Sequence, residues 1–219
     1  MPNLIFKNRR QAGEMLAPLL QEYKGNPDTI VLGLPRGGVV VAFEVARALD
    51  LPLDIIVSRK IGAPGNPEFA IGAVTEYSVS LPDKRTIQYY EIPPEYINQK
   101  IAEEKAEALR RAEIYRNRRP PMDIKDKTVI LVDDGIATGA TMRAAVKSAR
   151  KKGAEKIVVA VPVLSKDMLE KMEEEADAVI SVYAPENLFA VGSFYESFQQ
   201  VSNEEVVKLL EMSLQKVGN

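Results

Sequence analysis

The stretch VILVDDGIATGATM, residues 129–142, sets two adjacent carboxylates, Asp133 and Asp134, directly before a turn of small residues. At about 5 Å and an effective dielectric near 20, two like charges repel by roughly 3 kcal/mol. The turn itself suits an anion. Gly139, flanked by Ala137 and Ala140, lets backbone amides approach a ligand, and Thr138 and Thr141 offer hydroxyl donors. A helix beginning beyond them adds unpaired N–H groups and the positive end of its dipole. The loop is not a Walker A sequence, since G-x-x-x-x-G-K-[ST] is absent. Acids beside an anion cradle are reconciled by a phosphorylated sugar. The turn takes the phosphate, while the carboxylates accept hydrogen bonds from vicinal hydroxyls, as acidic residues do on ribose. The same acids favour a nearby Mg²⁺, directly or through water.

Two further loops carry compatible chemistry. LGLPRGGV, residues 32–39, follows an apolar run and combines Arg36, a bidentate phosphate donor, with Gly37 and Gly38, which permit unusual dihedrals and expose bare amides. A plain strand-to-helix turn is the alternative for this loop taken alone. In VSRKIGAPGNPEFAIGAV, residues 57–74, Arg59 and Lys60 end an apolar run and precede a Pro/Gly-rich loop. This arrangement suits a mobile basic arm; alone, it equally describes two solvated cations.

Positioning these loops falls to short runs rich in Val, Ile and Leu: residues 29–34, 53–58, 69–74, 128–133, 156–161 and 177–182. Near-continuous apolar character fits parallel strands buried on both faces. Helical patterns lie between several of them, at Val39–Leu49, Thr141–Lys152 and Lys166–Glu175. The alternation predicts an α/β fold, a doubly wound and mainly parallel sheet whose ligands bind at the carboxyl ends of its strands. Outside this core, residues 9–23 read as an amphipathic helix. Residues 94–119 read as a charged helical insertion: 11 of the 20 residues from Lys100 to Arg119 are Lys, Arg or Glu. It is either a solvated helix lying on the domain or a lid over a polyanion site. The segment 183–219 reads as a C-terminal hood followed by a helix. Its aromatic residues Phe189, Phe194, Tyr195 and Phe198 either stack a flat ligand or pack the segment on the sheet. The whole of 1–219 is expected to form one domain.

Composition narrows the chemistry. The chain has neither Cys nor His, which excludes thiolate catalysis, Ser-His-Asp machinery and imidazole- or thiolate-held metals. Any metal must be held by oxygen, favouring Mg²⁺. A net charge of −2 gives no support for bulk nucleic-acid binding. No apolar run approaches the length of a membrane span, and the first residues lack the apolar core of a secretory signal, so a cytoplasmic protein is expected.

Four apolar residues, two acids and a G-x-A-T-G-x-T turn resemble the 5-phosphoribosyl-1-pyrophosphate (PRPP) signature of type I phosphoribosyltransferases, and LGLPRGGV resembles the pyrophosphate loop of the same family. VSRKIGAPGNPEFAIGAV, taken with VGSFYESFQQVSNEE, also resembles a subgroup of phosphoribosyltransferase-like proteins of undefined substrate. The resemblance implies that Asp133 and Asp134 contact the ribose hydroxyls and that residues Ala137 to Thr141 hold the 5-phosphate. Arg36, Gly37 and Gly38 then face the pyrophosphate, with Arg59 and Lys60 neutralising it as it leaves. Arg36, Lys60, Asp133 and Asp134 are the implied catalytic residues, with Mg²⁺ as cofactor near the two acids. The implied reaction is displacement of pyrophosphate from C1 of PRPP by a nitrogen nucleophile, a nucleobase by preference, through oxocarbenium-like charge. Members acting on 6-oxopurines carry an Asp where this chain has Ala137, which weakens a hypoxanthine or guanine reading. The rival expectation is a non-catalytic PRPP- or nucleotide-binding regulator. A phosphorylated response-regulator domain fits poorly, because its acidic pair would follow the first strand. Homodimers and a non-proline cis peptide in the 33–38 loop are common in the family.

Overall fold

The computed structural model describes residues 6–216. Five parallel strands form the central sheet in the order β2-β1-β6-β7-β8: β1 (Thr29–Gly33), β2 (Leu53–Ile55), β6 (Thr128–Val132), β7 (Lys156–Val163) and β8 (Ala178–Tyr183). From β1 the chain moves one way to β2, while β6, β7 and β8 extend the other way. The reversal therefore falls between β1 and β6, which pair from Thr29↔Thr128 to Gly33↔Val132. A crevice at such a switch point is where open α/β sheets bind ligands.

Alternation along the strands divides the core between two faces. Val31, Ile130, Val132, Val158 and Ala160 face helix α2 (Gly37–Leu49) and the C-terminal helix α7 (Asn203–Lys216). Ile30, Leu32, Val129, Leu131 and Val159 face helices α5 (Ala140–Lys151) and α6 (Lys166–Glu173). Helix α2 is apolar nearly all round, so it is buried nearly all round. The doubly wound parallel sheet read from the sequence is the one that forms.

Two element readings are corrected. Residues 53–58 do not make one strand: β2 stops at Ile55, and β3 (Ser58–Ala63) starts a separate antiparallel sheet with β4 (Asn66–Thr75) and β5 (Ser80–Pro82). Residues 69–74, expected as a parallel core strand, lie inside β4. The cause is the link between β3 and β4. Only Pro64 and Gly65 join them, with Gly65 at φ 72°, and two residues can close a hairpin but not a parallel crossover. The helix expected over 9–23 also divides. It runs as α1 (Arg9–Leu16), then as a 3₁₀ segment (Ala17–Tyr23) from the residue before Pro18, which cannot supply a donor to the helical ladder.

The charged insertion contains the 22-residue helix α4 (Pro94–Tyr115), preceded by the short α3 (Lys84–Tyr89). Helix α4 packs on β3, β4 and α7, burying Ala108, Ala112 and Tyr115 and leaving an outer face of ion pairs such as Glu107 with Arg110 and Arg111. Just past its end, Arg116 is buried. It donates to Asp54 (2.9 Å), Glu76 (2.5 Å) and the carbonyl of Ile55 (2.7 Å), tying the insertion to β2 and to the turn after β4. The first five residues of the chain and the last three of the expected hood region lie outside the described residues.

Candidate functional site

Because Gly33 and Val132 are register partners at the ends of neighbouring strands, the loops that follow them leave the sheet side by side. The amide of Leu34 donates to the carbonyl of Val132 at 2.8 Å. A Cβ on Gly38 would stand 2.8 Å from both Cα and Oδ1 of Asp133, and one on Gly37 only 2.0 Å from Oδ2 of Asp134. These two glycines were expected to supply unusual dihedrals. Instead both are ordinary residues of the first turn of α2. Their missing side chains matter because they let the two loops close to contact. The Pro35–Arg36 peptide is cis, as in the family pattern. Arg36 occupies the N-cap position of α2 without a capping side-chain bond. Its charge, with that of Arg111, opposes the upward push that burial gives the Tyr115 hydroxyl.

The small-residue turn leads from β6 into a helix, as its sequence predicts. The amide of Ile136 is anchored to the carbonyl of Val163 at 2.9 Å. Gly139 then takes a left-handed conformation (φ 74°) and serves as the N-cap of α5, where no side chain caps the helix. The first amides of α5 thus lack a side-chain acceptor, leaving a site for an anion at the positive end of the dipole. Ala137 and Thr138 are exposed, while Ala140 and Thr141 are half-buried. A Cβ on Gly139 would meet Sδ of Met168 on α6 at 2.7 Å, so the turn is packed from below.

Asp133 and Asp134 follow the last residue of β6 and are half-buried. Burial pushes the Asp133 carboxyl well above the ordinary carboxylate range, and the neighbouring Asp134 pushes it further. Burial also raises Asp134, opposed by the charge and hydrogen bond of Arg9. The Asp133 carboxylate accepts from the Asp134 amide at 2.8 Å. The Tyr195 hydroxyl, raised by burial and by Asp134, donates to the Asp134 carbonyl at 2.5 Å. Among the described residues there is no group of three or more His, Cys, Asp or Glu able to hold a metal ion. The two aspartates suit Mg²⁺ only in the usual sharing arrangement, in which one or two carboxylates, waters and substrate phosphates complete the shell.

Arg59 and Lys60 were expected at a strand end before a basic arm. They lie inside β3, opposite Val74 and Ala73 of β4. Arg59 donates to Glu104 of α4 at 2.5 Å, while Lys60 is exposed. The sheet that carries them packs on α5, the helix that begins at the phosphate-type turn, and buried Thr75 and Ser148 share a hydroxyl hydrogen bond of 2.6 Å.

Residues missed in the sequence complete the site. Arg9, the first residue of α1, donates Nε to Asp134 Oδ2 at 2.6 Å and Nη1 to the Gln199 carbonyl at 2.7 Å. Its guanidinium carbon lies 3.7 Å from the centre of the Phe198 ring. One signal was available: two arginines open this helix, at the end where its dipole disfavours cations. The aromatic segment divides by residue. Phe194 and Tyr195 are buried against Phe6 and Tyr183, which bears out packing for those two, whereas Phe189 is 96% exposed.

The family model described as phosphoribosyl transferase domain matches residues 5–193. A Mycobacterium tuberculosis protein whose name describes it as a phosphoribosyl transferase is 41% identical over 207 residues, covering 94% of this chain and 46% of its own. The chain therefore spans less than half the length of that relative. The crystal structure of TT1426 from Thermus thermophilus is 43% identical, covers 94% of this chain and 97% of its own, and superposes with a TM-score of 0.75. A ribose-phosphate pyrophosphokinase of Pyrococcus furiosus is 41% identical over 58 residues, 26% of this chain and 21% of its own. With a family model across most of its length and a matching crystal structure throughout, the chain belongs to the phosphoribosyl transferase domain family.

Proposed function

We propose that the protein binds PRPP and transfers its 5-phosphoribosyl group to a nitrogen nucleophile of the nucleobase class, releasing pyrophosphate. The observation that carries this reading is the contact of the two loops. Gly37 and Gly38 abut Asp134 and Asp133 at the switch point of the sheet, beside the uncapped start of α5. Under this proposal the switch point brings together an anion turn, two acceptors for vicinal hydroxyls and a second glycine-rich loop carrying Arg36.

In this reading the 5-phosphate sits on the amides at Ala137–Thr141, with the Thr138 and Thr141 hydroxyls as additional donors. Asp133 and Asp134 accept from the ribose hydroxyls and fix the ring. Arg36 and the amides at Gly37 and Gly38 hold the pyrophosphate, joined by Lys60 and Arg59 from the hairpin. The acceptor nitrogen forms its bond to C1 as the bond from C1 to the pyrophosphate oxygen breaks; the electron pair leaves with pyrophosphate, and the proton of the acceptor N–H passes to that leaving group or to water. No side chain has to act as nucleophile. The protein contributes positioning, charge stabilisation of the leaving group and exclusion of water. Asp133 or Asp134 would hold Mg²⁺, which would supply charge neutralisation and a template.

The test is pyrophosphate release on incubation with PRPP, Mg²⁺ and a panel of nucleobases. Acceptor-dependent release supports the transferase reading. PRPP binding without release for any acceptor would replace it with a binding protein on the same fold. Assembly as a homodimer belongs to the same proposal, and sedimentation velocity reads it directly.

A further inference from the structure

Residues 6–9 and 194–199 converge on the acidic pair. The backbone of the N-terminal segment is bonded to the C-terminal segment: the amide of Phe6 donates to the Phe194 carbonyl (2.7 Å), that of Glu196 to the Phe6 carbonyl (2.8 Å) and that of Ser197 to the Lys7 carbonyl (3.0 Å). Phe6 and Tyr195 pack as tilted rings with centres 5.2 Å apart, and Tyr195 and Phe198 do so at 4.9 Å. Two side chains from this strap reach the site. The Tyr195 hydroxyl meets the backbone carbonyl of Asp134, and the Arg9 guanidinium meets its carboxylate.

Arg9 is held on three sides. Asp134 takes Nε, the Gln199 carbonyl takes Nη1, and the Phe198 ring lies against the guanidinium. The ion pair is largely shielded from water, with 11% and 15% of the two side chains exposed. A guanidinium so constrained fixes the direction of the carboxylate it holds, because the bond runs along a fixed N–H vector. It engages one oxygen of Asp134, which leaves the other as an acceptor.

We infer that Arg9 is a positioning residue for the sugar site: it orients Asp134 toward the ribose hydroxyls and makes sugar binding depend on the strap formed by residues 6–9 and 194–199. Arg9 makes no hydrogen bond to the residues proposed to hold the phosphates, although its Nε lies beside Gly37, and its bond into the site is the one to Asp134. Phe198 acts one step further out, by holding the guanidinium in plane. The inference rests on the proposal that Asp134 meets the sugar of PRPP.

The experiment is calorimetric titration of PRPP with Mg²⁺ into the wild-type chain and into Arg9→Ala, Arg9→Lys, Asp134→Asn and the Arg9→Ala/Asp134→Asn double variant, with thermal unfolding of each. Arg9→Ala is expected to weaken PRPP at least tenfold, and Arg9→Lys to recover part of the loss. In the Asp134→Asn background, removing Arg9 should cost almost nothing more, because the residue it positions is already disabled. Such non-additivity marks action through a shared partner, and a merely structural role would not produce it. If wild type binds PRPP and Arg9→Ala binds as tightly, the inference is overturned and the PRPP reading stands. If the two losses simply add, Arg9 acts through general stability and the inference is likewise overturned. If wild type binds no PRPP, the functional proposal itself fails and takes the inference with it.

Discussion

Gly38 and Asp133 are so close that a Cβ on the glycine would lie 2.8 Å from the carboxylate oxygen and from the Cα of the acid. The two residues come from loops nearly a hundred positions apart, yet neither can be rebuilt without disturbing the other. Gly38→Ala is therefore expected to displace the Asp133 backbone. Overpacking of this kind costs about 1–3 kcal/mol. Urea unfolding should register that loss, and PRPP affinity should fall with it. An unchanged midpoint and an unchanged Kd would show that the crevice has room to spare.

The Asp133 carboxyl gives a pH prediction. Its folded-state pKa is raised above the ordinary carboxylate value by burial and by Asp134. Such a group binds its proton more tightly when folded, so stability is greatest at low pH in this respect. It is lost as pH climbs from the ordinary carboxylate range to the raised native value. Asp133→Asn removes the titration. Without PRPP or divalent cations, this variant should melt higher than wild type at neutral pH, with the advantage shrinking as pH falls. A lower melting temperature at pH 7 would mean that the ionised pair is not a liability to the free protein.

Arg116 should matter for folding rather than for ligand. Its side chain satisfies two buried carboxylates, Asp54 and Glu76, and one carbonyl. Truncation to Ala leaves both acids buried without their counter-ion, which costs on the order of 3–5 kcal/mol. Denaturant titration should show this loss, with partial recovery when Glu76→Gln is added. A change below about 1 kcal/mol would show that water reaches the cluster.

Arg59 is held by Glu104 of α4 instead of lying free at the crevice. If it serves the pyrophosphate end of the ligand, Glu104 competes for it. Glu104→Ala should then tighten PRPP a few fold while changing stability little, as partly exposed ion pairs contribute about 0–1 kcal/mol. Arg59→Ala should weaken PRPP. If both variants bind as wild type does, Arg59 is a strut between hairpin and insertion and nothing more.

What the sequence disclosed follows from how local each signal is. VDDGIATGAT carries its acids, its glycine cap and its helix start within a dozen consecutive residues, so strand, turn and helix could be read together. The hairpin was misread because FAIGAV is as apolar as a parallel strand. The cue that mattered was Pro64-Gly65, whose brevity decides the pairing. Gly37 and Gly38 were expected to take unusual dihedrals, whereas their missing side chains admit the other loop, a close approach that is invisible along the chain. Arg9 left only the weak signal of arginines at a helix start, and its partner Asp134, 125 residues away, is not visible from it.

The central claim is that Asp133 and Asp134 receive the sugar of PRPP, and calorimetric titration of PRPP with and without Mg²⁺ tests it most directly. Micromolar binding that depends on Mg²⁺ and disappears in the Asp133→Asn/Asp134→Asn variant, with that variant still folded, is the predicted result. Equal binding by wild type and the double variant, or no binding to wild type, would contradict the account.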